Sequence, residues 1–518
     1  MHVASDRSVS PAPAVRLEPL AELAAIRPID VAEAFRDLPG LALLESARPG
    51  RNARWTFLTA DPVAVLTEPA VGRVPFAVAR RLLTRLAPDA PAGHRGDPGQ
   101  RADPGYRGSA GPRDGAGQRG GLDAPPFLGG LVGFLAYELG DQLERLPAPA
   151  PDDQGLPLLR LALHDWTIAW DRRTGAAWLA GRALDGDHDR LRRRLDAIRD
   201  RVRPSRLARA AALAISDERA GGEIEFRSSL DRRAYEAGVD AVRERIRRGD
   251  IYQANLTRRL EAPFDGDPWP LYRRLRTGDP SLFSAWLDLG GGSPGHGSVL
   301  GAAPARPRAL LSASPEPFLA ISPGGVVSTD PIKGTRPRGR TRAEDRALAR
   351  ELLASAKDRA ENVMIVDVLR NDLGRVCVPG TVRVPRLCRL ERTATVQHLV
   401  STVTGRLAPG RDAFDLLAAS FPGGSITGAP KIRAMEILRE LEPTRRGPYT
   451  GALGWIGPDG AMSTSILIRT LVADGTRLSL HVGGGITDRS DPAAEWHETV
   501  AKALGPLGAI GGVEVGSE

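Results

Sequence analysis

Four lysines stand out in a chain that otherwise relies on arginine for positive charge. Of the 71 Lys and Arg residues, only Lys333, Lys357, Lys431 and Lys502 are lysine. An ammonium can lose its proton and act as a nucleophile, whereas a guanidinium stays protonated. Lys333 follows a β-rich run and precedes Gly334, which predicts an amine on a turn at a strand end, a common location for site residues. We take Lys333 as a candidate nucleophile; the alternative is a solvated loop lysine.

Two pairs of carboxylates lie three residues apart on predicted helices. Asp358 and Glu361 form one pair, and Glu495 and Glu498 form the other, with Lys502 one turn further along. Residues at i, i+3 and i+4 share one face of a helix. Two such faces, brought together, would supply the oxygen ligands that Mg²⁺ prefers. For each pair taken alone, the alternative is a solvated helix face.

Two glycine-rich stretches, residues 421–431 and 481–486, adjoin predicted regular elements. Backbone N–H groups exposed by glycine can bind carboxylates or phosphates. Neither stretch has the glycine spacing of a P-loop, nor a lysine followed by Ser or Thr. Arg469 ends an apolar strand and could bind a carboxylate through two hydrogen bonds, the alternative being a structural ion pair.

Composition excludes several classes of protein. The chain has 518 residues, 42% of them hydrophobic and 26% charged, as is usual for a globular protein. The net charge is +8, but the arginines are scattered among acidic residues and only 5% of residues are aromatic. This pattern lacks the basic, aromatic-interleaved stripe of a nucleic-acid-binding protein and suits anionic small substrates. Cys377 and Cys388 are too few for a disulfide framework or a Cys-based zinc cluster.

Membrane insertion and secretion are also disfavoured. The longest apolar run, residues 127–137, is interrupted by glycine and is shorter than a membrane span requires. The first residues show no basic-then-apolar signal pattern. The sequence therefore predicts a cytoplasmic protein with neither a membrane nor a nucleic-acid partner.

Secondary-structure patterns place the candidate residues on a mixed framework. Apolar residues recur at helical spacing over residues 231–248. Strands and helices occur in blocks rather than as alternating βαβ units. This arrangement predicts an α+β fold, with large antiparallel β-sheets packed together and flanked by helices. Further predicted elements are an antiparallel pair at 41–46 and 54–58, a strand at 251–258, a strand pair at 310–321 around Glu316, and helices at 342–356 and 358–373.

Composition also suggests how the chain divides into regions. Residues 88–126 are rich in Gly, Pro, Asp and Arg and nearly free of aliphatics, which predicts a disordered surface insertion. Residues 203–223, rich in Ala and Arg, have only a weak secondary-structure pattern. They are the best candidate for a domain boundary by composition. We therefore predict an N-terminal region, residues 1–220, and a catalytic region, residues 221–518.

Several ordered motifs together resemble the chorismate-utilising enzymes. The similarity is close over about 225–512 and looser over 41–147. Residues 1–220 resemble the N-terminal region of anthranilate synthases, and residues 221–518 resemble the catalytic region with the chorismate-binding enzyme fold. The matching segments are residues 251–256, 314–316, 357–362, 369–373, 397–398, 428–431, 468–470, 483–485 and 495–502.

The resemblance implies a role for each candidate residue. It implies that Glu361 and Glu498 hold Mg²⁺, with Asp358 and Glu495 nearby. It implies that Glu316 protonates the departing C4 hydroxyl and that His398 and Thr335 line the ring. The groups implied to bind the two carboxylates of chorismate are Tyr449, Arg469, Lys502 and the amides of Gly483, Gly484 and Gly485.

Three features favour one branch of this family. Isochorismate and salicylate synthases have a lysine where Gln253 stands, so addition of water is disfavoured. Anthranilate synthases usually have alanine where Lys333 stands, whereas the Pro-Ile-Lys-Gly-Thr form and residues 421–427 resemble the aminodeoxychorismate synthases. In that branch the lysine is thought to attack C2 of chorismate before ammonia attacks C4. The resemblance thus implies amination of chorismate at C4, for 4-aminobenzoate biosynthesis in folate or specialised metabolism.

The same resemblance implies a partner. Neither Cys377 nor Cys388 lies in the Gly-x-Cys-x-Gly elbow of glutamine amidotransferases, so ammonia is expected from a separate glutamine amidotransferase subunit. The expected product is 4-amino-4-deoxychorismate. The nearest alternative is anthranilate synthase component I. A second is a non-catalytic sensor, because residues 43–46 resemble the segment with which anthranilate synthases bind tryptophan.

Overall fold

Two large β-sheets form the body of the protein. The computed structural model describes residues 15–48, 53–69, 75–86, 124–217, 222–290, 306–393 and 396–516. Within these ranges, one sheet has thirteen strands and the other has ten. Neighbouring strands are antiparallel apart from one parallel pair at an edge of the larger sheet. The predicted α+β class with large antiparallel sheets is confirmed.

The strands of the described residues are, in chain order, β1 (Val15–Pro19), β2 (Ala42–Glu45), β3 (Trp55–Thr59), β4 (Ala64–Leu66), β5 (Gly130–Leu135), β6 (Leu159–His164), β7 (Trp166–Asp171), β8 (Ala177–Arg182), β9 (Ile224–Ser228), β10 (Gln253–Pro263), β11 (Phe283–Asp288), β12 (Ala309–Ser314), β13 (Pro317–Ile321), β14 (Val326–Thr329), β15 (Ile332–Pro337), β16 (Arg383–Arg392), β17 (Val396–Arg406), β18 (Gly428–Ala429), β19 (Ala452–Ile456), β20 (Met462–Ile466), β21 (Thr470–Ala473), β22 (Arg477–Ile486) and β23 (Gly512–Glu514). The α-helices are α1 (Pro28–Ala32), α2 (Ala77–Thr84), α3 (Gly140–Leu143), α4 (His188–Arg201), α5 (Pro204–Asp217), α6 (Arg232–Arg247), α7 (Trp269–Gly278), α8 (Arg342–Ala354), α9 (Ala356–Gly374), α10 (Ala413–Ser420), α11 (Lys431–Leu441) and α12 (Pro492–Ile510).

Each sheet combines strands from distant parts of the chain. The larger sheet has the order β1, β8, β7, β3, β2, β11, β12, β21, β22, β10, β9 and β23, with β18 also paired to β10. The smaller sheet has the order β15, β17, β14, β13, β20, β19, β5, β6 and β4, with β16 also paired to β17. Strands from either side of residue 220 are therefore neighbours in both sheets.

The two sheets pack face to face. Phe57 and Leu310 of the larger sheet share a buried cluster with Phe134 and Trp455 of the smaller one. The rings of Phe57 and Trp455 meet edge to face, with centroids 5.9 Å apart. Burying one such side chain contributes roughly 1.5–3 kcal/mol, so this layer fixes the two sheets against each other.

Helices cover the outer faces. On the larger sheet, Leu275 of α7 and Leu507 of α12 pack with buried strand residues such as Leu480. On the smaller sheet, Leu369 of α9 and Leu417 of α10 do the same. The helices that carry the two predicted carboxylate pairs, α9 and α12, thus lie on different sheets.

One predicted strand pair is corrected by the structure. The strands around Glu316 exist, but β12 belongs to the larger sheet and β13 to the smaller one. Alternating apolar residues specify a strand but not its partner, which is why the sequence suggested that the two strands pair with each other. Ser314 and Glu316 lie instead where the chain crosses from one sheet to the other.

Other local predictions had different outcomes. The helix expected over 231–248 is α6, with Tyr235 and Val239 buried on its inner face, and this prediction is confirmed. The connection expected over 203–223 is largely helical, because alanine and arginine are strong helix formers. The insertion predicted at 88–126 lies outside the described residues except for its last three positions. No helix in the described ranges combines the length and apolarity needed to cross a membrane.

Candidate active site

Glu316 lies in the crossing between the two sheets and is buried. The Ser425 hydroxyl donates a hydrogen bond to Glu316 Oε1 at 2.8 Å. The backbone N–H of Glu316 donates to Ser314 Oγ at 3.3 Å, which fixes the turn. Burial raises the pKa of Glu316, although the Lys333 ammonium and the Ser425 hydrogen bond act in the opposite direction. A carboxyl group that keeps its proton to higher pH than usual is suited to act as a general acid.

Lys333 lies on β15 and points towards the same serine. Its ammonium donates to the carbonyl oxygen of Ser425 at 3.3 Å. The pairing of β15 with β17 shifts register between Lys333 and Thr335. Gly334 lies at this register shift and has a left-handed backbone conformation, with φ of 81°. A Cβ at this position would lie 2.9 Å from Asp358 Cβ, so glycine is required. A bulge of this kind re-aims the side chains beside it.

The run from Gly483 to Gly485 forms the floor of the site. These residues lie on β22 opposite β10, with Gly485 paired to Asn255. A Cβ on Gly485 would lie 2.1 Å from Gln253 Nε2 and 3.7 Å from Lys333 Nζ. Because Gly485 has no side chain, the side chains of Gln253 and Lys333 can lie against its backbone. Gln253 Oε1 is buried without a hydrogen-bond partner, so it offers an unused acceptor.

Carboxylates of α9 and α12 meet beside this floor. The position of a Cβ on Gly484 is 2.9 Å from Glu495 Oε2 and 3.7 Å from Glu498 Oε1. Lys357 Nζ lies 3.9 Å from Glu361 Oε1 and 3.8 Å from Glu495 Oε1. The ammonium therefore stands between the carboxylates of the two helices. The structure brings these three glutamates together, as the two predicted helix faces require.

Lys502 and Asp358 complete the surroundings of this cluster. Lys502 Nζ is 2.7 Å from Glu498 Oε1 and donates to the carbonyl oxygen of Gly483, also at 2.7 Å. Asp358 instead pairs with Arg336, whose Nη2 is 3.3 Å from Asp358 Oδ2. Asp358 is thus engaged elsewhere, whereas Lys502 links α12 to the glycine floor.

Electrostatics distinguish the three glutamates. Burial raises the pKa of Glu361 and of Glu495. Burial acts in the same direction on Glu498, but the ammonium of Lys502, helped by Lys333 and Lys357, lowers its pKa below the ordinary value. Three of the four lysines of the chain therefore converge on this acidic cluster.

The donor set of this cluster, three glutamates, has the chemistry that suits a hard divalent cation. In the described part of the chain, no group of three or more His, Cys, Asp or Glu side chains has metal-binding geometry. Glu361 Oε1, however, is buried and lacks a hydrogen-bond partner. Carboxylate oxygens are the ligands that Mg²⁺ prefers. Binding of Mg²⁺ here stays a prediction.

Thr335 and His398 pair across β15 and β17. Thr335 Oγ1 and His398 Nδ1 are 2.9 Å apart, within hydrogen-bond distance. Burial, together with the positive charges of Arg48 and Arg469, lowers the pKa of His398 to about 4. The imidazole is consequently neutral at physiological pH, and it lies near the guanidinium groups at one side of the site.

Arg469 and Tyr449 are both held in unusual surroundings. Arg469 has φ of 49°, a left-handed conformation that is uncommon for residues other than glycine. Its Nη1 lies 3.5 Å from Asp279 Oδ1, a loose ion pair. The buried ring of Tyr449 stacks on His481 with centroids 4.9 Å apart. Burial raises the pKa of Tyr449, so the phenol remains a hydrogen-bond donor.

Sequence reasoning missed some of these residues and left the role of Lys431 open. Ser425 contacts both Lys333 and Glu316, and Asp279 pairs with Arg469. These contacts join positions far apart in the chain, so no local sequence pattern marks them. A polar serine inside the glycine-rich stretch 421–431 was the available signal. Lys431 of the same stretch is structural, because its ammonium donates to Asp372 Oδ2 at 2.8 Å and to Ser420 O at 2.9 Å.

A separate cavity of about 190 Å³ lies between the sheets beside β2. Glu45, Ser46, Trp55 and Trp455 are among its lining residues. It includes part of the segment 43–46, for which tryptophan binding stays a prediction.

Comparisons with known proteins identify the family of the chain. A family model described as chorismate binding enzyme matches residues 107–507. The chain belongs to the chorismate-binding enzyme family. It is 43% identical to anthranilate synthase component 1 of Streptomyces coelicolor over 392 residues, covering 74% of this chain and 73% of that protein. It is 41% identical to aminodeoxychorismate synthase component 1 of Salmonella typhimurium over 386 residues, covering 74% and 77%.

A solved structure shares the fold of this chorismate-binding enzyme. Anthranilate synthase component I of Streptococcus pneumoniae superposes with a TM-score of 0.66 at 26% identity, covering 88% of this chain and 92% of that chain. The protein is therefore a chorismate-utilising enzyme. Relatives of nearly equal identity carry two different names, so identity alone does not distinguish the two reactions.

Proposed function

We propose that this chorismate-binding enzyme replaces the C4 hydroxyl of chorismate with an amine, forming 4-amino-4-deoxychorismate. The observation that carries the proposal is the position of the Lys333 amine. It lies between Ser425, which also contacts Glu316, and the glycine floor at Gly485. An amine and a buried acid that share one site match a reaction in which a nucleophile enters as a hydroxyl leaves.

The first half of the reaction forms a bond to Lys333. The neutral amine attacks C2, the two ring double bonds shift, and the C4–O bond breaks. Glu316 gives its proton to the departing hydroxyl, which leaves as water. The proton lost from the attacking amine then restores the carboxyl group. The raised pKa of Glu316 favours the protonated form that this step consumes.

The second half of the reaction reverses the shift of the two ring double bonds. Ammonia attacks C4, the double bonds return to their first positions, and the bond between C2 and the lysine nitrogen breaks. The proton released from the incoming nitrogen passes to the departing amine. The sum is chorismate plus ammonia giving 4-amino-4-deoxychorismate plus water, so Lys333 and Glu316 both end as they began.

Residues around the reacting ring bind and orient the substrate. Glu361, Glu495 and Glu498 would hold Mg²⁺, which would supply positive charge to a substrate carboxylate. Arg469, Tyr449 and Lys502 would bind the carboxylates, and neutral His398 with Thr335 would line the ring. Gln253 is neither acid nor base, which supports amination over the addition of water.

The proposal includes a separate glutamine amidotransferase subunit as the source of ammonia. The relatives that carry either name are each called component 1, which supports a second component here. The purified chain should therefore use ammonium but not glutamine. Turnover with glutamine alone in a pure preparation would contradict this part.

Product identification tests the proposal. Purified protein is incubated with chorismate, Mg²⁺ and ammonium, and the products are separated and identified by mass. We expect an amine-containing product that retains the enolpyruvyl group, with no release of pyruvate. Fluorescent anthranilate formed together with pyruvate would overturn the proposal and assign the alternative reaction. Omission of ammonium is the control.

A further inference from the structure

Arg48 follows the end of β2, at the edge of the larger sheet where the active site lies. Strand register fixes this location: Glu45 pairs with Ser284, Phe283 with Ser314, and Ser312 with Thr470. The end of β2, the start of β11, the end of β12 and the start of β21 therefore lie side by side. Because those strand ends adjoin the positions of Asp279, Glu316 and Arg469, Arg48 emerges beside the same site.

Two nitrogens of the Arg48 guanidinium have no hydrogen-bond partner within the described ranges. Its Nε and Nη2 atoms are buried, and neither has a hydrogen bond. Burying a charged group without a partner is costly, so unpartnered buried guanidinium nitrogens point to an anion that binds between them and the solvent.

Nearby charges indicate where that anion would lie. Burial raises the pKa of Asp279, and the charges of Arg469 and Arg48 both act to lower it. Asp279 Oδ1 also lies 3.5 Å from Arg469 Nη1, a loose ion pair. Burial chiefly lowers the pKa of His398, and the charges of Arg48 and Arg469 add to this effect, so both guanidinium groups lie in the neighbourhood of that ring. Two guanidinium groups thus face one protein carboxylate, which leaves positive charge available for a ligand.

We propose that Arg48 binds a carboxylate of chorismate, beside Arg469. Chorismate carries two carboxylates, and a guanidinium can bind one through two parallel N–H donors. Arg48 would thereby make the N-terminal region part of the substrate site. The inference rests on chorismate as substrate and holds for C4 amination and for anthranilate formation alike, so failure of the proposed reaction leaves it intact.

Competitive inhibitors that differ in a single carboxylate test this role. The dicarboxylate 3-(carboxymethoxy)benzoate is compared with 3-ethoxybenzoate, which lacks the ether carboxylate, and with 3-methylphenoxyacetate, which lacks the ring carboxylate. In the wild-type enzyme each deletion should weaken inhibition by about 10- to 100-fold, the effect of losing a hydrogen-bonded charge. In Arg48→Met, one of the two deletions should cost several-fold less than in wild type because Arg469 still contacts that carboxylate, whereas the other deletion keeps its full cost.

Two controls separate binding from structure. Arg85→Met removes a surface guanidinium that pairs with Asp185 and should leave both penalties unchanged. Because the buried Nε and Nη2 of Arg48 have no hydrogen bond to lose and Asp279 keeps its pairing with Arg469, Arg48→Met should melt at the wild-type temperature or above it without ligand. Equal penalties in Arg48→Met and wild type, or no preference for the dicarboxylate in wild type, would overturn the proposal. So would a lower melting temperature with both penalties retained. If Arg48→Met is not obtained folded, Arg48→Lys provides the same comparison with the charge kept and the paired donors lost.

Discussion

Lys333 and Glu316 both form a hydrogen bond with Ser425. Lys333 donates to the backbone carbonyl of Ser425, and the hydroxyl of Ser425 donates to Glu316. The two groups proposed as nucleophile and acid are therefore held at a fixed separation by one serine. The ammonium also acts on the acid, because it opposes the rise in the Glu316 pKa that burial causes.

This relationship predicts a shift in the pH profile. Glu316 donates its proton only below its pKa, so activity should fall as pH rises through that pKa. Lys333→Ala removes a charge that lowers the pKa, so the basic limb of its residual activity should move to higher pH than in wild type. The measurement is the rate against pH for both enzymes at a constant concentration of free ammonia. Coincident basic limbs would contradict the proposed coupling, and Glu316→Gln should lack the limb altogether.

The acidic cluster predicts that two carboxylates of α9 differ in their effect on metal binding. Glu361 has a buried oxygen without a hydrogen-bond partner, whereas Asp358 is paired with Arg336. Glu361→Gln should weaken Mg²⁺ binding by at least about tenfold, and Asp358→Asn should weaken it much less. Calorimetric titration of Mg²⁺ into each variant measures the effect, with activity as a second readout. Equal losses in the two variants would argue that Glu361 has no special role.

Substitution of Lys357 should strengthen Mg²⁺ binding rather than weaken it. Its ammonium lies between Glu361 and Glu495, where it would compete with an added cation. Lys357→Met should therefore bind Mg²⁺ more tightly and melt at a lower temperature when metal is absent. The side chain is 45% exposed, and exposed pairs contribute only about 0–1 kcal/mol, so the gain in affinity should not exceed about fivefold. Weaker Mg²⁺ binding by Lys357→Met would show that the lysine supports the site rather than competing for it.

Much of the framework could be predicted because local patterns specify it. The buried face of α6 follows from apolar residues at helical spacing. The start of α12 follows from Asp491, which precedes the helix and whose side chain accepts a hydrogen bond from Ala494 N. The pairs Asp358 with Glu361 and Glu495 with Glu498 lie on helices, as their spacing indicated. These features depend only on residues within a few positions of each other.

The remaining features depend on contacts between distant residues. β12 and β13 are consecutive strands, yet each finds its partners in a different sheet. The position of Lys357 between Glu361 and Glu495 requires that α9 and α12 meet, and they are separated by more than a hundred residues. No local pattern marks Arg48, whose location follows from the order of strands in the larger sheet. Positions of this kind become visible only when the topology is known.

The most direct test of the account is the intact mass of the protein after reaction with chorismate and Mg²⁺ without ammonia. Wild-type protein quenched with acid should gain the mass of chorismate less one water, and peptide mapping should place the addition on Lys333. Addition of ammonium before the quench should remove the adduct and release 4-amino-4-deoxychorismate. Lys333→Arg keeps the charge but not the nucleophile, so it should form no adduct and lose most activity. A Lys333→Arg enzyme that forms 4-amino-4-deoxychorismate at the wild-type rate would contradict the account.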